Sequence, residues 1–265
     1  MSYLYAIVLG LVQGLTEFLP VSSSGHLAIT QHFLPGFEQP GLLFDVLLHA
    51  ATMAAVLLFF RREVGQLLTA CFREDEKAGT DRHILRLLII GSIPTAIIGL
   101  AGKDFFTGLF ENLPVIGAML LVTAILLLLA SRVRRNGRGE AEMTITDTLL
   151  VGITQGAAII PGISRSGSTI ACLLLRGIDG ETAARFSFLL ALPAVGGATL
   201  LSLRDLHQVN AADLPAYAVG SLVAFVSGLL AIRFLLAVVR KRRLHGFALY
   251  CLLVGSAIIL HSLLT

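Results

Sequence analysis

The sequence predicts an all-α integral membrane protein: an inverted-topology repeat with about six transmembrane helices and two re-entrant helical hairpins. Three observations carry that expectation. The 265 residues are 55% hydrophobic and only 14% charged, against about 25% charged in a soluble domain, and the mean hydropathy is +0.84. Two polar stretches rich in glycine and serine, Gln13 to His26 and Gln155 to Thr169, interrupt apolar segments. Laid over each other at a constant offset of 142 positions, Gly10, Gln13, Gly14, Ser22, Ser24 and Gly25 fall on Gly152, Gln155, Gly156, Ser164, Ser166 and Gly167. The same offset places Phe44, Leu47 and Leu48 on Phe186, Leu189 and Leu190, while Pro161 comes one residue early relative to Pro20. The chain therefore divides into a first repeat over about 1–131, a basic linker at 132–145 and a second repeat over 146–265, within one membrane domain.

Residues 3–19 are apolar but carry Gln13, Thr16 and Glu17 and stop at Pro20; residues 23–34 form a second short run, closed by Pro35-Gly36. Each is shorter than the roughly 20 residues that a bilayer crossing needs. The pair reads as a hairpin whose turn, Pro20 to Ser24, lies at membrane depth, where non-helical backbone must be satisfied by protein or a water-filled cavity. Residues 44–60 form a full span ending at Arg61-Arg62, and 61–83 is a mixed-charge loop with some helix. Spans follow at 84–102 and 114–131, around a loop with Lys103, Asp104 and Glu111. After the polar joint, 146–160 and 167–176 repeat the hairpin around Pro161 to Ser166, and spans at 183–203, 214–236 and 247–264 complete the chain.

Basic residues set the expected orientation. Lys and Arg number six in 61–86, four in 132–138 and four in 240–243, but one each in 103–113 and 204–213. Alternating spans put the three basic loops on one side, which the positive-inside rule makes the cytoplasm. The first hairpin then enters from outside and the second from the cytosol, and their tips meet near the midplane, where inverted repeats place their site. A net charge of +3 carried beside apolar segments marks orientation and gives no reason to expect nucleic acid. Cys71, Cys172 and Cys251 have neither disulfide nor metal spacing and read as small apolar filler. The amino terminus lacks a basic n-region and carries Gln13 and Glu17 within its apolar run, so no cleavable signal peptide is expected.

Chemistry concentrates at the two tips. Gln13 and Glu17 are four apart and share a helix face. Ser22-Ser23-Ser24-Gly25-His26 opens the next helix, and a helix start offers free backbone N–H groups to phosphate. Serine is also the usual N-cap, which is the plainer reading of Ser22 and Ser24; Ser23 has His26 one turn away as a base or acid partner. An ionisable residue in an apolar segment is functional by default, which singles out Glu17 and His26. The second tip supplies Arg165, whose guanidinium suits bidentate phosphate recognition, flanked by Ser164, Ser166, Gly167, Ser168 and Thr169. The plainer reading of Arg165 is an ion pair with Glu17 or an arginine bound to backbone carbonyls. His49, mid-span, reads more readily as a core hydrogen bond, and Arg176 and Arg185 as snorkelling or topology residues. Together the tips suit phosphoryl transfer on an anionic lipid, by electrostatic clamping plus a nucleophile, either Ser23 or His26, or water activated by His26. The repeat alone suits a lipid-phosphate transporter or flippase equally; the unequal residues of the halves favour an enzyme. A lipid kinase is disfavoured because no Gly-rich nucleotide loop of the Walker type is present.

The stretches Gln-Gly-Leu-Thr-Glu-Phe-Leu-Pro-Val-Ser-Ser-Ser-Gly-His at 13–26 and Pro-Gly-Ile-Ser-Arg-Ser-Gly-Ser-Thr at 161–169 resemble the two signature motifs of the undecaprenyl-diphosphate phosphatase, or bacitracin-resistance protein, family. The resemblance covers the whole chain, including Phe-Ser-Phe-Leu-Leu-Ala-Leu-Pro at 186–193. It implies hydrolysis of undecaprenyl diphosphate to undecaprenyl phosphate and inorganic phosphate, recycling the lipid carrier of peptidoglycan synthesis and conferring bacitracin resistance. It also implies a divalent cation, magnesium or calcium, engaging the glutamate motif and the diphosphate, and no organic cofactor. By position, Glu17 matches the essential acidic residue and the metal ligand, Ser23 and His26 the nucleophile and its partner, and Arg165 the diphosphate-binding arginine. Gln13, Ser22, Ser24, Gly25, Ser164, Ser166, Gly167 and Thr169 are expected to line the substrate. The family often carries glutamate at the position of Gln13, so a two-carboxylate metal site is not expected; one carboxylate bridged by the diphosphate would serve. The expected setting is the bacterial plasma (inner) membrane, with the site opening to the periplasmic side. Expected partners are a polyprenyl diphosphate lipid and the bilayer, with a homodimer as an option.

Overall fold

The computed structural model describes residues 1–37, 43–133, 137–202, 211–240 and 243–264. Arg134, Arg135, Lys241, Arg242 and most of the 204–213 loop, on which part of the charge count rests, lie outside the described residues. Among the described residues every named element is a helix, and the only bridge is an isolated one between Arg138 and Ile178. The first half contains the hairpin α1 (Tyr3–Phe18) and α2 (Ser23–Phe33), then α3 (Leu43–Phe59), α4 (Arg61–Thr69), α5 (Ala78–Ala101), α6 (Lys103–Thr107) and α7 (Leu113–Ser131). The second contains the hairpin α8 (Ile145–Ala157) and α9 (Arg165–Leu175), then α10 (Gly180–Ser202), α11 (Leu214–Arg240) and α12 (His245–Leu264).

Among the described residues five helices, α5, α7, α10, α11 and α12, are long and apolar enough to cross a membrane, and α3 with the helix after it, bent by 77° at the break, counts as a sixth where the pair is taken as one span. The bend falls at Phe60, where Arg61, Arg62 and Glu63 end the apolar run. The stretch 61–83, expected as a loop with some helix, carries that helix as α4, which buries Leu67 against the core, and α5 starts at Ala78 rather than 84. The Asp75 carboxylate accepts from the backbone N–H groups of Lys77 and Ala78 at 3.1 and 3.0 Å, which caps this earlier start. Similarly α9 begins at Arg165 rather than 167, with Ser164 as its N-cap.

The two halves interlock. Each hairpin's first helix packs on a long span of the opposite half, α1 on α11 and α8 on α5, while α7 packs on α12 and α3 on α10. Glycines permit the close crossings: a Cβ added at Gly10 would strike the Gly220 carbonyl, and one at Gly152 the Gly91 carbonyl. Small residues at crossings are how membrane helices gain packing without a hydrophobic driving force between them. Outward faces carry Ile89, Ile93, Ile97 and Leu100 on α5, an exposed apolar stripe at helical spacing. At the centre, Phe18 of α1 meets Phe188 of α10 edge-on with ring centroids 5.5 Å apart, and Phe60 lies 6.1 Å from Phe188. That cluster anchors the end of α1, and so the residue before it, Glu17.

Two arginines read as snorkelling residues have other work. Arg176 donates through Nε to the fully buried Asp147 at 2.8 Å, beside Arg138 at 3.0 Å, and Thr144 donates to the same carboxylate. This fastens the start of α8 to the end of α9. Arg185 pairs with Glu63 at 3.2 Å and Glu140 at 3.6 Å, tying α10 to α4.

Candidate active site

Both hairpin turns are built the same way at the helix they open. Leu19 is extended, as a residue before proline must be, and α1 stops there. Ser22 caps α2 by accepting from the Gly25 N–H at 3.3 Å, and Ser164 caps α9 by accepting from the Gly167 N–H at 3.0 Å. Ser22 and Ser24 share a hydroxyl–hydroxyl hydrogen bond at 3.4 Å, Ser164 and Ser166 one at 3.3 Å. The tips also touch. A Cβ on Gly25 would come within 3.1 Å of the Gly162 backbone, and one on Gly167 within 3.1 Å of Pro20. Ser166 donates to the Leu19 carbonyl at 3.1 Å, and Thr123 of α7 braces the second turn through Gly162 O and Ser164 N, both at 3.0 Å. The hydroxyls of Ser22, Ser164 and Ser166 therefore hold the turns in shape.

The unequal residues meet on one carboxylate. Glu17 is 5% exposed. Arg165 pairs through Nη2 with Glu17 Oε1, and Ser23 donates to Glu17 Oε2 at 2.6 Å. Ser23 and Arg165 occupy equivalent positions of the two repeats, each the first helical residue after its serine cap. Gln13 Nε2 donates to the same Oε2 at 3.0 Å, and His49 Nδ1 lies 3.2 Å from it. Of the two plainer readings of Arg165 the ion pair is present, but it does not exhaust the guanidinium: among the described residues Arg165 Nη1 is buried with no partner, as is Gln13 Oε1. A buried donor left unpaired costs about 1–3 kcal/mol, more when charged, so an anion bound at this nitrogen would gain unusually.

His26 stands apart from that cluster. Its Nδ1 is 2.8 Å from the Ser22 carbonyl, which can only accept, so Nδ1 carries a hydrogen. In the neutral ring Nε2 then accepts from the Tyr250 hydroxyl at 2.8 Å, and the two rings are stacked at 5.5 Å.

The family model described as bacitracin resistance protein BacA matches residues 6–257. The chain belongs to that family. It is 61% identical to an undecaprenyl-diphosphatase of Syntrophotalea carbinolica over 97% of both chains. Proteins of the same name from Desulforapulum autotrophicum and Desulfosudis oleivorans are 42% and 43% identical, over 96% and 97% of both chains respectively.

Of the residues singled out in the sequence, the structure brings Gln13, Glu17, Ser23 and Arg165 into one bonded cluster and puts Ser22, Ser24, Gly25, Ser164, Ser166 and Gly167 in the turns that frame it. Thr169 lies away from the carboxylate: its hydroxyl donates to the Arg165 carbonyl at 2.7 Å and lies 2.6 Å from Ser187 Oγ. Two neighbours were undervalued or missed. His49 of α3 bonds to the Glu17 group instead of the core, and Tyr250 of α12 faces His26. An imidazole in the middle of an otherwise apolar span was the signal for His49; Tyr250, one tyrosine in a lipid-facing helix, carried none.

Proposed function

We propose that this protein hydrolyses undecaprenyl diphosphate to undecaprenyl phosphate and inorganic phosphate in the bacterial plasma membrane, with its site between the two hairpin tips opening to the outer side. The observation that carries the site is the buried Glu17 carboxylate held by Ser23 and Arg165 while Arg165 Nη1 is unpartnered. Arg165 and the free N–H groups at the starts of α2 and α9 hold the diphosphate, and the isoprenoid tail lies along apolar helix faces. Ser23 Oγ attacks the terminal phosphorus as its proton passes to Glu17 Oε2, the bond to the bridging oxygen breaks, and undecaprenyl phosphate leaves. Water then splits the phosphoserine to release inorganic phosphate. Ser23 is the nucleophile in preference to His26 because its hydroxyl already donates to a carboxylate, whereas His26 Nε2 is engaged by Tyr250; in this reading His26 activates the water once Tyr250 yields.

We propose that Glu17 and Gln13 would hold a magnesium or calcium ion of the kind the family resemblance implies. No group of three His, Cys, Asp or Glu side chains is gathered for a metal among the described residues. Gln13 Oε1 is unpartnered among the described residues, and Glu17 would share with the ion an oxygen that now carries Arg165 or Ser23; magnesium takes its remaining oxygens from phosphate and water. When bound, such an ion neutralises charge on the diphosphate.

The test is phosphate release from a polyprenyl diphosphate by purified Glu17→Ala, Ser23→Ala, His26→Ala and Arg165→Ala proteins. Losses of at least about 100-fold are expected for Glu17→Ala and Arg165→Ala. A near-native rate for Arg165→Ala would overturn the site, and one for Ser23→Ala would remove it as nucleophile.

A further inference from the structure

His49 belongs to the second helix that touches Glu17 from within the first half, and no motif points to it. Its surroundings are unlike those of a core histidine. The side chain is 28% exposed, and among the described residues its Nδ1 meets site residues, Gln13 Nε2 at 2.8 Å and Glu17 Oε2 at 3.2 Å. Thr52, three residues on along α3, turns its hydroxyl to the His49 carbonyl at 2.8 Å and receives Gln13 Nε2 at 3.4 Å. α3 is itself fixed: Phe44 packs on Tyr217 of α11 with centroids 4.8 Å apart, and Leu48 and Val56 are fully buried. The ring is therefore held at the carboxylate by a packed helix. The equivalent position in the second repeat is Ala191, which cannot make this contact.

We infer that His49 is a positioning residue for the hydrolysis, holding Glu17 Oε2 on the Ser23 hydroxyl. Glu17 Oε1 is drawn towards Arg165 on one side. Without a counterweight on Oε2, rotation about the last side-chain torsion, which is broad for glutamate, would carry that oxygen off the 2.6 Å bond to Ser23. Gln13 and His49 supply the counterweight, Gln13 along its own helix and His49 from a separate one. With a hydrogen on Nδ1 the ring donates to Glu17; with Nδ1 bare it accepts from Gln13 and fixes the amide that donates to Glu17. Both arrangements restrain the same oxygen, and an asparagine amide, with a donor and an acceptor at the distance of Nδ1, reproduces either.

This inference rests on Glu17 and Ser23 acting together as proposed, and the experiment separates the two. His49→Leu, His49→Asn, Glu17→Gln and the His49→Leu/Glu17→Gln double variant are purified alongside the parent protein and assayed for phosphate release across polyprenyl diphosphate concentrations, with thermal unfolding measured on each. His49→Leu is expected to lose about 100-fold in kcat, the scale of a misplaced catalytic group, with KM within about two-fold because the diphosphate contacts are untouched. His49→Asn is expected to recover most of that loss, and in the Glu17→Gln background His49→Leu should cost little more. Native kcat in His49→Leu while Glu17→Gln is inactive would overturn the role of His49 and leave the site standing. Active Glu17→Gln would instead overturn the underlying site. A loss in His49→Leu that adds in full to that of Glu17→Gln, or that His49→Asn does not relieve, also rejects the positioning role.

Discussion

The two hairpin turns have nearly the same frame and opposite chemistry. Each opens a helix with a serine cap, a second serine two residues on and a glycine pressed against the other tip. At three equivalent positions they differ in kind: Glu17 stands where the second repeat has Ile159, Ser23 where it has Arg165, and His26 where it has Ser168. Duplication thus supplies two facing helix starts, and divergence places a carboxylate and a hydroxyl on one and a cation on the other. A symmetric pair of tips could bind an anion; only the unequal pair can also activate a nucleophile against it.

The frames differ in one detail. Pro20 occupies the position of Gly162, which has φ of +94°. Proline is locked near −65°, so the left-handed residue of the first turn falls instead on Ser22, at φ of +71°. Such a conformation costs a non-glycine residue about 1–3 kcal/mol and tends to persist at functional sites.

Breaking the asymmetry should have the largest effects, the serines first. Ser23→Ala is expected to lower kcat by at least about 1,000-fold, while Ser24→Ala, at a hydroxyl bonded among the described residues only to Ser22, should stay within about three-fold. Equal losses would mean that both serve the frame. Next comes the cation. Arg165→Lys keeps the charge but loses the planar fork, so phosphate release should fall by about 100-fold; full activity would show that a point charge suffices. Gly162→Ala should destabilise the fold by more than about 1 kcal/mol, because φ is positive and the new Cβ would meet Ile116 O and Met119; an unchanged melting temperature would count against the interlocked turns. Gln13→Glu adds a second carboxylate beside Glu17 and should lower the magnesium needed for half-maximal activity by about ten-fold. An unaltered magnesium titration would separate Gln13 from any cation. The smallest effect is expected for Ser22→Gly, which relieves the strained φ and gives up a cap worth a few tenths of a kcal/mol against glycine, raising the melting temperature by about 2 °C. A lower melting temperature would show that the serine hydroxyl outweighs the strain.

Much of this was legible before any coordinates. Apolar run lengths, Pro20, Pro161 and the repeated Gly-Ser stretches marked the hairpins, because a bilayer sets segment length and punishes unpaired backbone. The polar segment 61–83 showed some helix but not its bounds, because its surface face is charged and α4 buries a single leucine, Leu67. Arg176 and Arg185 were misjudged because their partners, Asp147, Glu63 and Glu140, are distant in sequence or carry no motif.

The sequence alone determined that the chain is a membrane-embedded helical repeat with chemistry at two breaks, since hydropathy, glycine and proline act through local physics. Only the tertiary structure decided that Ser23 and Arg165 close on one carboxylate, that His49 joins them and that His26 turns to Tyr250. Those contacts depend on how α1, α3, α9 and α12 pack, and the direction of a side chain across that packing is written in no local pattern.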